Sequence, residues 1–359
     1  MLPYLGDDAG DPSALNRRGR ACQEAIEDAR GEVAALISAD RDEVVFTSGG
    51  TEADVLALYG VMLGPVLAEE TPPHLIVSAV EHPAVSRAAD VLRRFGLPVS
   101  YLPVDAVGRV DPEAVERLIR PETRLVSVIL AHHDLGTIAP LAEIGRLCRE
   151  REVVLHTDAC QAAGRIPVRV GELGVDLLSL SAHKLGGPPG VGALFVRRGT
   201  HVTPVWAGDG RESGLRGGME NVPGIVGFGA AARAVLRRGD VSERLAGLRD
   251  GLEARLIAGT DGQATRVGPA EGRLPNTALI TFPGVEAADL LERVPDLCAA
   301  TAHAVDDEGT GLMSWHTAIG LPPEDAASTV RLSLGPATTE DETARAAEWL
   351  IDAWSALRG

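Results

Sequence analysis

The sequence predicts an α/β fold: a mostly parallel central sheet with helices on both faces, followed by a smaller C-terminal α+β domain. Three observations carry this. Between residues 43 and 198, short β-rich runs alternate with helical patterns. Several of those runs are apolar throughout, as strands are when helices cover both faces of a parallel sheet. A Gly-rich stretch at 259–272 then breaks the alternation, and a shorter set of strands and helices follows.

In chain order, the predicted strands of the large sheet are VVFTS (44–48), LIVSAV (75–80), VSYLPV (99–104), RLVSVILAH (124–132), VVLHTDA (153–159), LLSLSAH (177–183) and ALFVRR (193–198). Helices are predicted over 52–63, 84–95 and 141–152, the last with Leu141, Ile144 and Leu147 on one face. Residues 221–258 read as two helices. TALITF (277–282), a helix at 286–294 and the strand STVRLSL (328–334) follow. A long amphipathic helix at 339–357 closes the chain, started by Thr338 or Thr339 with Glu340 and Glu342 behind it. The expected division is a large domain at 16–255 and a small one at 256–359, to which 1–15 adds an N-terminal segment. No internal repeat or low-complexity segment interrupts this order.

A chain of 359 residues with 45% hydrophobic content can bury a sizeable core. Its net charge of -17 and pI near 5.0 would repel a phosphate backbone. The basic clusters, Arg17 and Arg18 with Arg20, and Arg237 with Arg238, are short and interleaved with other residues, so nucleic acid is not an expected partner. Cys22, Cys148, Cys160 and Cys298 fit no metal or disulfide spacing, which predicts a reducing, cytoplasmic setting. No apolar run reaches the roughly 18 residues needed to span a bilayer, and MLPYLGDDAG is no signal peptide, so a membrane is not expected either.

The chemistry is concentrated where predicted strands end. In 177-LLSLSAHKLGGPPGVGALFV-196 an apolar run stops at Ser181, His183 and Lys184 before a Gly/Pro turn. A buried ammonium is costly unless paired or covalently used, and its depressed pKa suits attack on an aldehyde. TSGGTEA (47–53) ends a strand, turns on Gly49 and Gly50, and opens a helix at Thr51, the geometry that offers backbone N–H groups to a phosphate. Gly-Gly turns are also common without a ligand. Glu81 and His82 follow LIVSAV, where a histidine is often only a cap. HTDACQ places Asp158 at a strand end and Gln161 just beyond it; a carboxylate there needs a cation or a protonated ring nitrogen. Phosphate loop, ring, carboxylate and lysine together describe pyridoxal phosphate: phosphate on the Thr51 helix start, ring on His82, pyridinium on Asp158 and aldehyde on Lys184.

These segments, with MLPYLGDDAGDPSALNRRGR, FTSGGTEAD, VEHPAV, GLRGGMENVPGIVGFGAA, RLPNTALITFPGV and VRLSLGPATTEDE, resemble the cysteine desulfurase and selenocysteine lyase group nearly end to end. That group consists of class V aminotransferase-like enzymes of fold-type I. The resemblance implies that 16–255 is the domain that binds pyridoxal phosphate, that Lys184 forms the Schiff base, and that His82 stacks on the ring. It implies further that Asp158 holds the pyridine nitrogen, Gln161 the side of the ring hydroxyl, and Gly50, Thr51, Ser181 and His183 the phosphate. Arg331 matches the arginine that clamps the substrate carboxylate. An amino-acid substrate, a homodimer and a sulfur-acceptor protein are the implied partners.

The chain departs from the group's pattern at four places. Anchored on Gly309 and Gly320, the pattern puts Ala304 where the nucleophilic loop cysteine belongs. Cys298, six residues earlier, is expected to be a buried hydrophobe on the strand leading into that loop. The group's Asn-Asn-Glu-Thr-Gly reads His132-His133-Asp134-Leu135-Gly136 here. His133 then either transfers protons and orients substrate, or fills the asparagine's space and hydrogen-bonds the cofactor. A metal at His132, His133 and Asp134 is not expected, because neighbours on an extended strand face opposite ways. Met219 replaces the threonine lent to the partner's phosphate, and the opening strand with its Asn-Ala-Ala-Thr-Thr-Pro-like turn is missing. An engineered cysteine-to-alanine change would account for Ala304 but not for the rest. The expected activity is a lyase acting on a C–S or C–Se bond by β-elimination, with transamination or racemisation as relatives of it. The rival is a non-catalytic partner or scaffold subunit.

Overall fold

The computed structural model describes residues 1–6, 9–68, 71–302 and 314–359. They form two compact units. The first comprises Met1–Leu102, Asp111–Leu130 and Pro140–Gly239; the second comprises Pro103–Val110, Ala131–Ala139 and Asp240–Gly359. The division differs from the expected one. Residues 1–15 belong to the first unit, the C-terminal boundary lies at Asp240, and two loops after strands of the large sheet join the second unit. The boundary moves because the helix Ser242–Gly259 packs on the C-terminal helix Glu340–Arg358 and shares that unit's core, through Leu245, Leu252 and Leu256.

The first unit is built on seven strands: β1 (Val44–Thr47), β2 (His74–Ser78), β3 (Val99–Leu102), β4 (Thr123–Ser127), β5 (Val154–Asp158), β6 (Leu177–Ser181) and β7 (Gly192–Val196). Their order is β1-β7-β6-β5-β4-β2-β3. All neighbours from β6 to β3 are parallel, and β7 runs antiparallel to both β6 and β1. β1, β2, β5 and β6 therefore all end on the same edge of the sheet, where open α/β sheets place their ligands. Strands β1, β2 and β6 are buried at every position, which is why their sequences are apolar rather than alternating.

The helix Gly50–Leu67 covers one face of this sheet, with Leu56, Ala57 and Met62 in a core shared with Leu75, Val77, Leu125 and Leu194. At its start, Gly192 lies so close to Gly49 that a Cβ on it would come within 2.5 Å of the Gly49 carbonyl carbon. The helix Arg17–Ile37, capped by the Asn16 side chain, packs against Val222–Arg238. There a Cβ on Gly229 would lie 2.6 Å from Ala29, so only glycine permits the approach.

The second unit holds an antiparallel sheet of β8 (Thr265–Arg266), β9 (Thr277–Thr281), β10 (Ala300–Thr301) and β11 (Thr329–Ser333), in the order β10-β11-β9-β8. One face is sealed by Phe282, Leu290, Leu350 and Trp354. The C-terminal helix starts on a Thr339/Glu342 capping box, as its sequence predicts. No described helix is long and apolar enough to cross a membrane.

Candidate active site

The edge where β1, β2, β5 and β6 end carries Asp158, Gln161, His82, Ser181, His183, Lys184, Gly50 and Thr51. Asp158 is the last residue of β5, 5% exposed, and its Oδ1 accepts the Cys160 backbone N–H at 2.8 Å. Gln161 follows on the half-buried turn. His82 caps the helix Pro83–Arg94, its Nδ1 accepting the Ala84 N–H at 3.1 Å. That bond requires Nδ1 to be unprotonated and fixes the ring's orientation. One ligand atom from each of His82, Asp158 and Asp54 lies within 4.8 Å of the others.

Lys184 sits in the single 3-10 turn Ala182–Leu185, directly after β6 and before the left-handed Gly186. It is half-buried rather than buried, because the turn leaves the sheet at Ala182. Beside it, Ser181 Oγ and His183 Nδ1 are 2.8 Å apart. Partial burial and the Lys184 charge push the His183 imidazole below its usual range. A neutral ring next to a hydroxyl can donate to an anion without its own charge.

The Gly49–Gly50 turn makes the other half of this cradle. A Cβ on Gly50 would stand 2.6 Å from Cys160 Sγ, so the helix start is drawn tightly under the β5 loop. The first N–H to find a carbonyl in this helix is that of Ala53, on Gly49. The N–H groups of Gly50, Thr51 and Glu52 precede it at the positive end of an 18-residue helix, and Thr51 is exposed. Cys160 is no nucleophile in this place: burial, then Asp158 and Asp54, push its thiol well above the normal range. A tight anion cradle, a buried carboxylate, an oriented imidazole and an amine at the end of one sheet fit a phosphorylated pyridine aldehyde.

Around Asp158 the structure gives Glu81 a buried setting and adds His156 and Asp54, which sequence reading passed over. Glu81 is buried, its Oε1 accepting from Ser78 Oγ at 2.6 Å and from the Ile129 N–H at 2.7 Å. Burial pushes its carboxyl up to about 8, against those two hydrogen bonds. His156, on β5, is held between Ser127 Oγ at 2.8 Å and Ser179 Oγ at 3.0 Å, and burial pushes it down to about 4. Asp54 was legible in principle: it is the one charge in the apolar run 53–63, where an acid at a core position signals a special environment.

Arg331 and His133 belong to the second unit. Arg331, on β11, pairs through Nη1 with Asp134 Oδ1, and His133 Nε2 lies 3.4 Å from Asp134 Oδ2. The HHDLG segment is a tight turn, not extended strand: the Gly136 N–H returns to the His132 carbonyl, and the His132 and His133 rings stack 4.3 Å apart. The reason given above for excluding a metal there therefore fails, although among the described residues the grouping suited to a metal is Asp54, His82 and Asp158. Cys298 corrects a second expectation. It is exposed, two residues ahead of β10, because that strand begins only at Ala300. Met219 is exposed as well, at 59%. Ala304 lies outside the described residues.

Comparison with known proteins identifies the family. The aminotransferase class-V family model matches residues 1–345. The cysteine desulfurase IscS of Dictyoglomus turgidum is 39% identical over 345 residues, covering 95% of this chain and 86% of that protein. The IscS of Methanosarcina thermophila is 37% identical over 369 residues, covering 100% and 88%. A solved NifS-like protein superposes with a TM-score of 0.89 at 30% identity, covering 100% of this chain and 94% of its own. The chain thus belongs to the class-V aminotransferase family, in its cysteine desulfurase group, and is a pyridoxal-phosphate-dependent enzyme of fold-type I.

Proposed function

We propose that the enzyme cleaves the C–S or C–Se bond of a small amino acid by β-elimination instead of abstracting sulfur. The observation that carries this reading is Ala304, which stands where the group's pattern has its nucleophilic cysteine. Within the first unit no other thiol takes that part: Cys22 and Cys148 are buried, and the Cys160 thiol is held protonated. When bound, pyridoxal phosphate supplies the electron sink that stabilises negative charge at the α-carbon.

The chain's own residues then have separable tasks. Asp158 answers the ring nitrogen, His82 covers the ring, and Gly50, Thr51, Ser181 and His183 hold the phosphate, with Gln161 beside the ring hydroxyl. Lys184 would hold the aldehyde, and its Nζ would take the α-proton. The bond from the β-carbon to sulfur breaks with its electron pair on sulfur, which leaves as hydrosulfide. The remaining carbon skeleton ends as pyruvate and ammonium after hydrolysis. By resemblance, Arg331 takes the substrate carboxylate; His133, in the place of the group's asparagine, either transfers protons and orients the substrate or fills that space and hydrogen-bonds the cofactor. A homodimer and a small amino-acid substrate complete the proposal, and a sulfur-acceptor protein would be the partner of a desulfurase-like route.

Incubation with cysteine, cysteine sulfinate and selenocysteine tests it. Pyruvate is the expected product, absent in Lys184→Ala. Alanine in place of pyruvate would overturn elimination in favour of desulfuration. A colourless protein that cannot be reconstituted with pyridoxal phosphate would support the scaffold reading. Ala304→Cys should shift the product from pyruvate towards alanine and enzyme-bound persulfide.

A further inference from the structure

Below the candidate cradle lies an acid that the proposed chemistry does not use. Asp54, on the helix Gly50–Leu67, is 1% exposed. One of its oxygens lies within 4.8 Å of an Asp158 oxygen and of a His82 ring nitrogen. Its Oδ1 has no hydrogen-bond partner among the described residues, and His156 Nε2 stands 3.6 Å from it.

The titratable groups around this point come from every neighbouring element. β5 contributes His156 and Asp158, its following turn Cys160, the loop after β2 Glu81 and His82, and the turn after β6 Lys184. His156 offers Asp54 no positive charge, since burial keeps it neutral down to about pH 4 and both ring nitrogens are occupied by Ser127 and Ser179. Two carboxylates this close in the interior do not both ionise. Burial, then the Asp158 charge, pushes Asp54 well above the usual carboxylate range, opposed only by the Ser179 hydroxyl. The unsatisfied oxygen, the deep burial and the approach of a second carboxylate within 4.8 Å point to a neutral acid at Asp54.

We propose that Asp54 is a positioning residue: as a carboxylic acid it directs a proton toward Asp158, fixes that carboxylate's orientation and leaves its negative charge for the pyridine nitrogen. The proposal rests on the reading of Asp158 as the residue that holds that nitrogen. It assigns Asp54 no contact with substrate and no step of its own.

The protein reconstituted with pyridoxal phosphate carrying nitrogen-15 in the ring tests it, with Asp54→Asn and Asp54→Ala beside the wild type. An amide keeps the neutral shape and a donor, so Asp54→Asn should hold the ring-nitrogen shift near the wild-type value and bind the cofactor within about threefold. Asp54→Ala should move that shift and weaken cofactor binding about tenfold or more. The difference infrared spectrum of wild-type minus Asp54→Asn apoprotein at neutral pH should show a carboxylic-acid carbonyl band. Asp54→Asn as damaging as Asp54→Ala, or no such band, would mean that Asp54 acts as an anion and overturns the proposal. An unmoved shift and unchanged binding in both variants would overturn it too. If Asp54→Ala does not fold, the amide variant and the infrared band decide alone. A wild type that takes up no pyridoxal phosphate would instead sink the cradle itself.

Discussion

The guanidinium of Arg331 is already held by Asp134, Nη1 on Oδ1, with the Asp134 side chain 8% exposed and that of Arg331 27% exposed. One edge of the fork is thus spoken for, and Nε with Nη2 presents the parallel pair of donors that suits a carboxylate. Lysine at 331 would keep the charge beside Asp134 but lose the fork. Arg331→Lys should raise KM for the amino-acid substrate roughly tenfold or more while changing kcat less, the sign of lost carboxylate binding. Equal loss in both constants would place Arg331 outside substrate recognition.

Gly50 and Cys160 form a second pair, in which the sulfur occupies the space a Cβ would need. Gly50→Ala should destabilise the folded protein by about 1–3 kcal/mol, because the contact joins a helix start to a strand end and neither can move freely. Cys160→Ala removes the sulfur, so the double variant should recover most of that loss. The coupling energy from denaturant unfolding of all four proteins checks it; additive losses would show that the clash is absorbed elsewhere.

Much of this was legible in the sequence for physical reasons. Strands buried on both faces must be apolar, so LIVSA and LLSLS stood out, and Thr339 with Glu342 announced the last helix through its cap. Asp158 could be placed because it ends such a strand, and His82 and Lys184 because they stand in the short segments just after β2 and β6. Asp54 was not picked out: its place as the one charge in an apolar run was a local signal, but what it faces depends on β5 and β6, distant in sequence. The same holds for the boundary at Asp240, which is set by contact between helices a hundred residues apart. Cys298 was misplaced because β10 is only two residues long and begins later than the hydrophobicity suggests.

The four cysteines should separate sharply in reactivity. Cys298 is exposed, Cys22 and Cys148 are buried, and burial pushes the Cys148 thiol up to about 12. Since thiolate is the reactive form, native protein should titrate one thiol quickly with a disulfide reagent and the others only on unfolding. Cys298→Ser should abolish the fast phase and leave the yield of pyruvate unchanged. A fall in product would bring Cys298 back as a sulfur carrier.

Glu81 predicts how stability depends on pH. Folded, it keeps its proton up to about 8, whereas the unfolded chain releases it near 4.5, so between those values the folded state binds more protons and stability falls as pH rises. His74 and His156 act in the opposite sense. Burial pushes both down to about 4 from 6.5, so over that interval the unfolded chain binds more protons and stability rises with pH. The acid works unopposed by these two only from 6.5 to about 8, an interval of roughly 1.5 pH units worth about 2 kcal/mol. Asp54, raised by the same burial, adds to the fall in the same direction. The apoprotein should therefore lose about 2 kcal/mol or more in denaturant midpoint analysis between pH 6.5 and 8. Glu81→Gln keeps the acceptor that Ser78 and the Ile129 N–H require and removes the proton equilibrium, so most of that slope should disappear. A variant as steep as the wild type would mean that Glu81 is already ionised in the fold, and the buried acid cluster beside Asp158 would have to carry its charge some other way.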